Sequence, residues 1–171
     1  MRLITLFLIS LFVSSCVQKH KMVTTFDSAE TLGLLNKAGQ NVIKGSALIR
    51  QNRGSTVTCA GSTVRLFPAT NYSKERIAAL YGDQFGGFNK RGLFGKVQFS
   101  ENPSAYLQAT KKTTCDAQGY FTFDNVGDGE WYAMTTITWK TNDYIPEGGN
   151  LAKLITVKGG ETVNIVLSPR Y

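Results

Sequence analysis

The run Thr114-Cys115-Asp116-Ala117-Gln118-Gly119-Tyr120-Phe121-Thr122-Phe123-Asp124-Asn125-Val126-Gly127-Asp128-Gly129-Glu130-Trp131 decides the fold. It holds two turns between segments of alternating character. Asp116 can accept a hydrogen bond from the backbone two residues on, and Gly119 can take positive φ, so residues 116–119 read as a turn. Phe121 and Phe123 then fall on one face of a strand, because strand side chains alternate with a period of two. Gly127-Asp128-Gly129 turns the chain again. The strand over 130–139 puts Trp131, Ala133, Thr135, Ile137 and Trp139 in one register. Phe121, Phe123 and Trp131 bury large area with few rotamers to lose. Truncating such a core aromatic to Ala typically costs about 3–5 kcal/mol, and all three read as core.

The same alternation extends on both sides. Residues 41–50 place Ile43, Ala47 and Ile49 at alternate positions with Gly45 between them. A turn at 51–54 leads to a short strand over 55–59. Residues 62–67 set Val64 and Leu66 against Thr63 and Arg65, and Pro68 ends that strand. Residues 109–115 form the strand that enters the first turn. Downstream, 151–157 and 163–167 are two strands joined at Lys158-Gly159-Gly160-Glu161, with Ile155, Val157, Val163, Ile165 and Leu167 inward. About seven short strands with regular turn signals predict an all-β fold, an antiparallel β-sandwich. Composition agrees. Of 171 residues 42% are apolar, enough for a packed core, and 17 Gly with only 4 Pro suit strands and turns rather than a coiled coil or a disordered chain.

The 114–131 run resembles the core motif of carboxypeptidase-regulatory-like domains: a Thr-rich strand, Asp-x-x-Gly, x-Phe-x-Phe, a Gly turn and an aromatic. Gly45 with Val64-x-Leu66 before it, and Gly160-Glu161-Thr162-Val163 as a hairpin after it, agree with the resemblance. It covers roughly residues 41–69 and 109–168, with Trp131 in place of the commoner Tyr. It implies a transthyretin-like β-sandwich over 41–171. It transfers no catalytic residue.

The stretch 70–108 is an insertion relative to that pattern. Ile77, Leu80 and Tyr81 lie at helical spacing, Thr70, Asn71 or Ser73 can cap, and Gly82 can stop, so one short helix is predicted over 72–81. Residues 82–95 hold five glycines interleaved with Phe85, Phe88 and Phe94, beside Lys90 and Arg91. A loop this long is usually functional or mobile. Aromatics and Arg dominate binding hot spots, so Phe85, Phe88, Lys90, Arg91 and Phe94 are the candidate partner-binding residues. The competing expectation is that the Phe side chains fold back and plug the open end of the sandwich.

Residues 1–15 read as a signal peptide. Arg2 precedes an apolar run of about eleven residues, short of the roughly 20 a spanning helix needs. The run ends in Val13-Ser14-Ser15-Cys16, which resembles a bacterial lipobox. That implies cleavage before Cys16 and its acylation, with the membrane as partner through the N-terminal lipid. Val17 in place of Asp favours the outer membrane and a domain facing the periplasm; a monoderm host would instead put the protein on the cell surface. Residues 16–40 are then a lipid-anchored tether and strap, with Lys19-His20-Lys21 near the headgroups and 26–40 either a helical turn or an apolar strap. Cleavage takes only Arg2 from the formal charge of +7, a moderate excess that suits acidic surfaces and shows no nucleic-acid stripe. Cys59 and Cys115 remain, an even count in an oxidising compartment, and predict a disulfide.

Catalytic machinery is not legible. His20 is the single His of the chain and lies in the tether, so no Ser or Cys of the domain has a His base. Asp124, Asp128 and Glu130 read as solvated turn carboxylates, with calcium as the alternative. Asp83, Glu101 and Asp143 are not brought together by anything in the sequence. No metal, cofactor or catalytic residue is assigned. The leading functional expectation is a non-catalytic envelope lipoprotein whose sandwich recognises a protein or glycan. The alternatives are an accessory lipoprotein of a secretion or conjugation machine, a small carboxylate-dependent envelope hydrolase, and a calcium-dependent or glycan-binding module using exposed aromatics such as Tyr72, Phe85 or Tyr144.

Overall fold

Two sheets face each other across the alternating strands that the sequence predicts, and a third layer covers one of them. The computed structural model describes residues 19–51, 54–90, 97–140 and 146–169. In chain order the elements are β1 (Lys19–His20), α1 (Ser28–Asn36), β2 (Asn41–Arg50), β3 (Thr56–Thr58), β4 (Thr63–Pro68), α2 (Asn71–Tyr81) and β5 (Gly86–Lys90). There follow β6 (Gln98–Phe99), α3 (Ser104–Gln108), β7 (Lys111–Thr114), β8 (Tyr120–Val126), β9 (Gly129–Lys140), β10 (Pro146–Val157) and β11 (Thr162–Leu167).

The large sheet runs β5-β10-β9-β4-β7, antiparallel throughout. The small sheet is built on β2. β11 lies along it in parallel, and β8 and β3 pair it antiparallel. Ala47 N–H donates to Gly119 O and Ala47 O accepts from Cys59 N. Both groups of one strand residue point the same way, so β8 and β3 meet end to end along one edge of β2.

Between the sheets lies the main core. β2 contributes Ile43, Ala47 and Ile49, β8 contributes Phe121 and Phe123, and β9 contributes Trp131, Ala133 and Ile137. Ile155, Val157, Ile165 and Leu167 close it, as the alternation predicts. Gly45 is required here: a Cβ would come within 2.4 Å of Phe121 Cζ and 2.8 Å of Ile165 Cγ1. The Trp131 indole N–H donates to Gly127 O at 2.9 Å, which satisfies its buried polar atom. The Asp116 turn forms as expected, Asp116 Oδ1 accepting from Gln118 N and Tyr120 N with Gly119 at φ 87°. Cys59 and Cys115 form a disulfide with Cα atoms 5.8 Å apart, tying the end of β3 in the small sheet to the end of β7 in the large one.

Three expectations are corrected. The first is the terminal hairpin: β10 and β11 do not pair, because β10 lies in the large sheet and β11 in the small one. Asn41 is the cause. Its Oδ1 accepts from Gly160 N and Glu161 N, and its amide donates to Val126 O and Asp128 Oδ1. The connection is thereby drawn to the start of β2, and β11 continues in parallel with it. The second is the single helix. α2 forms as predicted, capped by Thr70 and stopped by Gly82 at φ 76°, but α3 follows it before β7 and α1 forms ahead of β2, capped by Asp27. The third concerns the 82–95 loop. Residues 86–90 are not loop but edge strand β5, paired with β10 from Gly149↔Lys90 to Lys153↔Gly86.

The described residues of 70–108 therefore build a layer over the outer face of the large sheet. Phe67, Ile77, Tyr132 and Ala152 make a second buried cluster there. Arg76 is 6% exposed within it. Its guanidinium stacks 3.8 Å from the Phe99 ring centroid and bonds Asn102 Oδ1, Glu101 O and Tyr72 Oη. The described part of the predicted tether is docked on this layer. β1 pairs β6, and Glu75 accepts from Val23 N, Thr24 N and Thr24 Oγ1, with His20 Nε2 3.0 Å away.

Candidate functional site

At one end of the sandwich β5, β9 and β10 run past the main core and face the end of β2. The register sets Trp139 opposite Glu147 and Lys90 opposite Gly149. Strand alternation puts Phe88, Lys90, Trp139 and Glu147 on the inward-facing side, beyond the last core residues. Ile49, Arg50 and Gln51 of the small sheet oppose them. Together they line a cleft of about 190 Å³. Gly148 forms part of its wall at φ 108°, and a Cβ there would lie 2.0 Å from Ile137 O. The two rings are half-buried, while Arg50, Lys90 and Glu147 are exposed.

The chemistry of this lining is mixed by design of the strands. Two aromatic rings offer faces for apolar C–H surfaces. A guanidinium, an ammonium and an amide donate, while the amide oxygen and a carboxylate accept. Such a set suits a ligand that is apolar on its faces and rich in hydroxyls at its edges.

The structure separates the candidate residues. Phe88 and Lys90 line the cleft together, and Phe88 packs against the main core, so it partly plugs the open end. Phe85 lies at the opposite end of β5, 51% exposed, its N–H held by Asp83 Oδ1 and its carbonyl by Leu154 N. Arg91 and Phe94 lie outside the described residues, as do Cys16 and Tyr144. Tyr72 is not available to a ligand: it is buried against Phe26 and Tyr106. Two of the turn carboxylates, Asp128 and Glu130, take separate partners. Asp128 bonds Asn41 and Gly159 N, and these hydrogen bonds hold its carboxyl below the usual range. Glu130 pairs with Lys74 at 2.7 Å. Asp83 holds Phe85, Glu101 offers its backbone oxygen to Arg76, and Asp143 lies outside the described residues.

Trp139, Arg50, Gln51 and Glu147 were not legible as site residues. The one signal was that Trp139 extends the β9 register one step past Ile137, to where the opposing strand ends. The polar three are joined to it only by strand pairing. A second, shallower depression of about 400 Å³ lies on the outer face of the small sheet, over Lys44, Ser46, Thr122, Asn164 and Val166. It presents one exposed ring, Tyr120, and no charged pair of opposite sign.

No protein-family model matches the chain, and no curated protein matches it. Among solved structures it is similar to a protein from Pseudomonas aeruginosa provisionally named a carbohydrate binding protein, with a TM-score of 0.66 and 26% identity. The match covers 82% of this chain and 92% of that one. A second likeness, to chlorocatechol 1,2-dioxygenase from Pseudomonas putida, has a TM-score of 0.27 and 12% identity and carries no argument.

Proposed function

We propose that the chain is a non-catalytic recognition module of the cell envelope that binds a glycan in the end cleft. The observation that carries this is the pair of rings, Phe88 and Trp139, framed by Arg50, Gln51, Lys90 and Glu147 on the ends of paired strands. Strand ends hold such groups more firmly than loops do, which lowers the ordering cost of binding. The likeness to the Pseudomonas aeruginosa protein supports a carbohydrate ligand. The transthyretin-like, carboxypeptidase-regulatory-like motif supports a scaffold role for the sandwich. Acylation at Cys16 would place the module at a membrane, three residues before the docked β1.

Isothermal titration against a panel of muropeptides, lipopolysaccharide core oligosaccharide and neutral hexose oligomers tests the ligand class. At least one member should bind, and Trp139→Ala and Lys90→Ala should each weaken it tenfold or more with folding retained by circular dichroism. Absence of binding across the panel, or full binding by Trp139→Ala, would overturn the reading. Mass spectrometry of the envelope-extracted protein tests the anchor, and an unmodified residue 16 would remove it.

A further inference from the structure

We infer that the outer face of the large sheet carries a second ligand site, for a small amphipathic anion. It lies away from the end cleft, and its argument does not rest on the glycan reading. A cleft of about 360 Å³ opens between α3 and the sheet, within the range of about 300–1,000 Å³ common for small-molecule sites. Its walls are Phe67, Tyr106, Leu107 and Met134, with Arg65 and Thr110 as its polar groups.

Three features there are unfavourable as the chain stands. Arg65 of β4 is directly opposite Lys112 of β7, and like charges facing each other across strands destabilise a sheet. Among the described residues no carboxylate pairs with either. Leu107 is 56% exposed although it borders an apolar hollow. Thr110 Oγ1 is buried without a hydrogen-bond partner. One ligand chemistry answers all three. An apolar body would cover Leu107 and fill the space against Phe67 and Met134. An anionic head would lie at Arg65 and Lys112, where a guanidinium fork matches a carboxylate or phosphate. Thr110 would supply a hydroxyl donor after a rotation about χ1. A neutral or cationic amphiphile would meet the apolar walls but leave the two cations unmatched.

The test uses decanoate and decyl phosphate below their micelle concentrations, with decanol and decyltrimethylammonium as neutral and cationic controls. Titration followed by amide chemical shifts should show the anions binding at least tenfold more tightly than the controls. Shifts should centre on residues 65, 106, 107, 110 and 134. The Arg65→Gln/Lys112→Gln double variant should lose the anion preference while decanol binding stays. Met134→Trp should fill the cleft and remove both. Trp139→Ala should leave decanoate binding intact, so failure here and failure of the glycan site are distinguishable. Equal affinity for anion and cation, shifts centred elsewhere, or an unchanged preference in the double variant would overturn the site. So would binding to phosphatidylglycerol vesicles with none to the monomeric amphiphiles.

Discussion

The two faces of the large sheet are covered by different means. The inner face meets the small sheet through aliphatic and aromatic side chains in strict alternation, and a disulfide ties the sheets together. The outer face meets helices and irregular chain, which bring polar groups into the layer. Several are satisfied by particular partners: Arg76 by Asn102 and Glu101, Tyr132 Oη by Gln84 O, Glu75 by the segment 20–24, while Thr110 Oγ1 is left without one. A buried polar group costs free energy unless it is bonded, so the outer layer depends on particular contacts where the inner one depends on area. It is also the layer that closes less completely and leaves the apolar cleft.

The largest effect expected is at the inner face. Trp131→Ala should cost about 3–5 kcal/mol in denaturant unfolding, since it empties the core and orphans Gly127 O. Ile77→Ala in the outer layer should cost about 2–3 kcal/mol. Equal costs would erase the contrast. Reducing the Cys59–Cys115 bond, which spans a sequence separation of 56, should lower stability by about 4 kcal/mol on the chain-entropy account. An unchanged denaturation midpoint in reductant would break the claim that the sheets are tied there.

Smaller effects belong to the outer layer. Burial, then the charges of Glu130 and Asp83, push the Tyr132 phenol up to about 12, so it remains a donor at ordinary pH. Tyr132→Phe should cost about 1 kcal/mol through the lost bond to Gln84 O. The smallest concerns the docked segment. Burial alone would raise the Glu75 carboxyl, but hydrogen bonds from Thr24, Val23 and His20 outweigh it and hold the group at about 2, against 4.5 for a free glutamate. A lowered folded-state value stabilises docking in full above about 4.5, and that stabilisation is lost as pH falls toward about 2. Hydrogen exchange at Val23 and Thr24 should therefore rise in that window while β9 stays protected. Glu75→Gln should show the raised exchange already at pH 7. Protection of Val23 and Thr24 unchanged at pH 2.5 would show that the clamp is not the carboxylate.

Much of the inner layer was legible. Ile43, Ala47, Val64, Leu66, Phe121, Phe123 and Trp131 declare their face by period two, and the Asp116 and Gly119 chemistry declares its turn. α2 was legible from Thr70, Ile77 and Gly82. The outer layer was not. Phe67 and Tyr132 occupy the alternate face of strands whose buried face was already assigned, and only the docking of α2 and α3 explains them. The end cleft was half legible. Phe88 and Lys90 stood out by type, but Arg50, Gln51 and Glu147 are ordinary polar residues near turns.

By itself the sequence determined the sandwich strands around 41–50, 63–67, 120–126 and 130–139, which face of each meets the main core, where the Asp116 turn falls and which cysteines pair. Those properties are local, or follow from counting. Only the tertiary structure decided that β11 joins β2 rather than β10, that 86–90 is an edge strand, and that segments far apart enclose two clefts. The physical reason is that alternation reports burial but not partner. A strand with one apolar face is equally content in a hairpin or in an arch between sheets. What selects the arch is a contact such as Asn41 with Gly160 and Glu161, between residues about 120 positions apart.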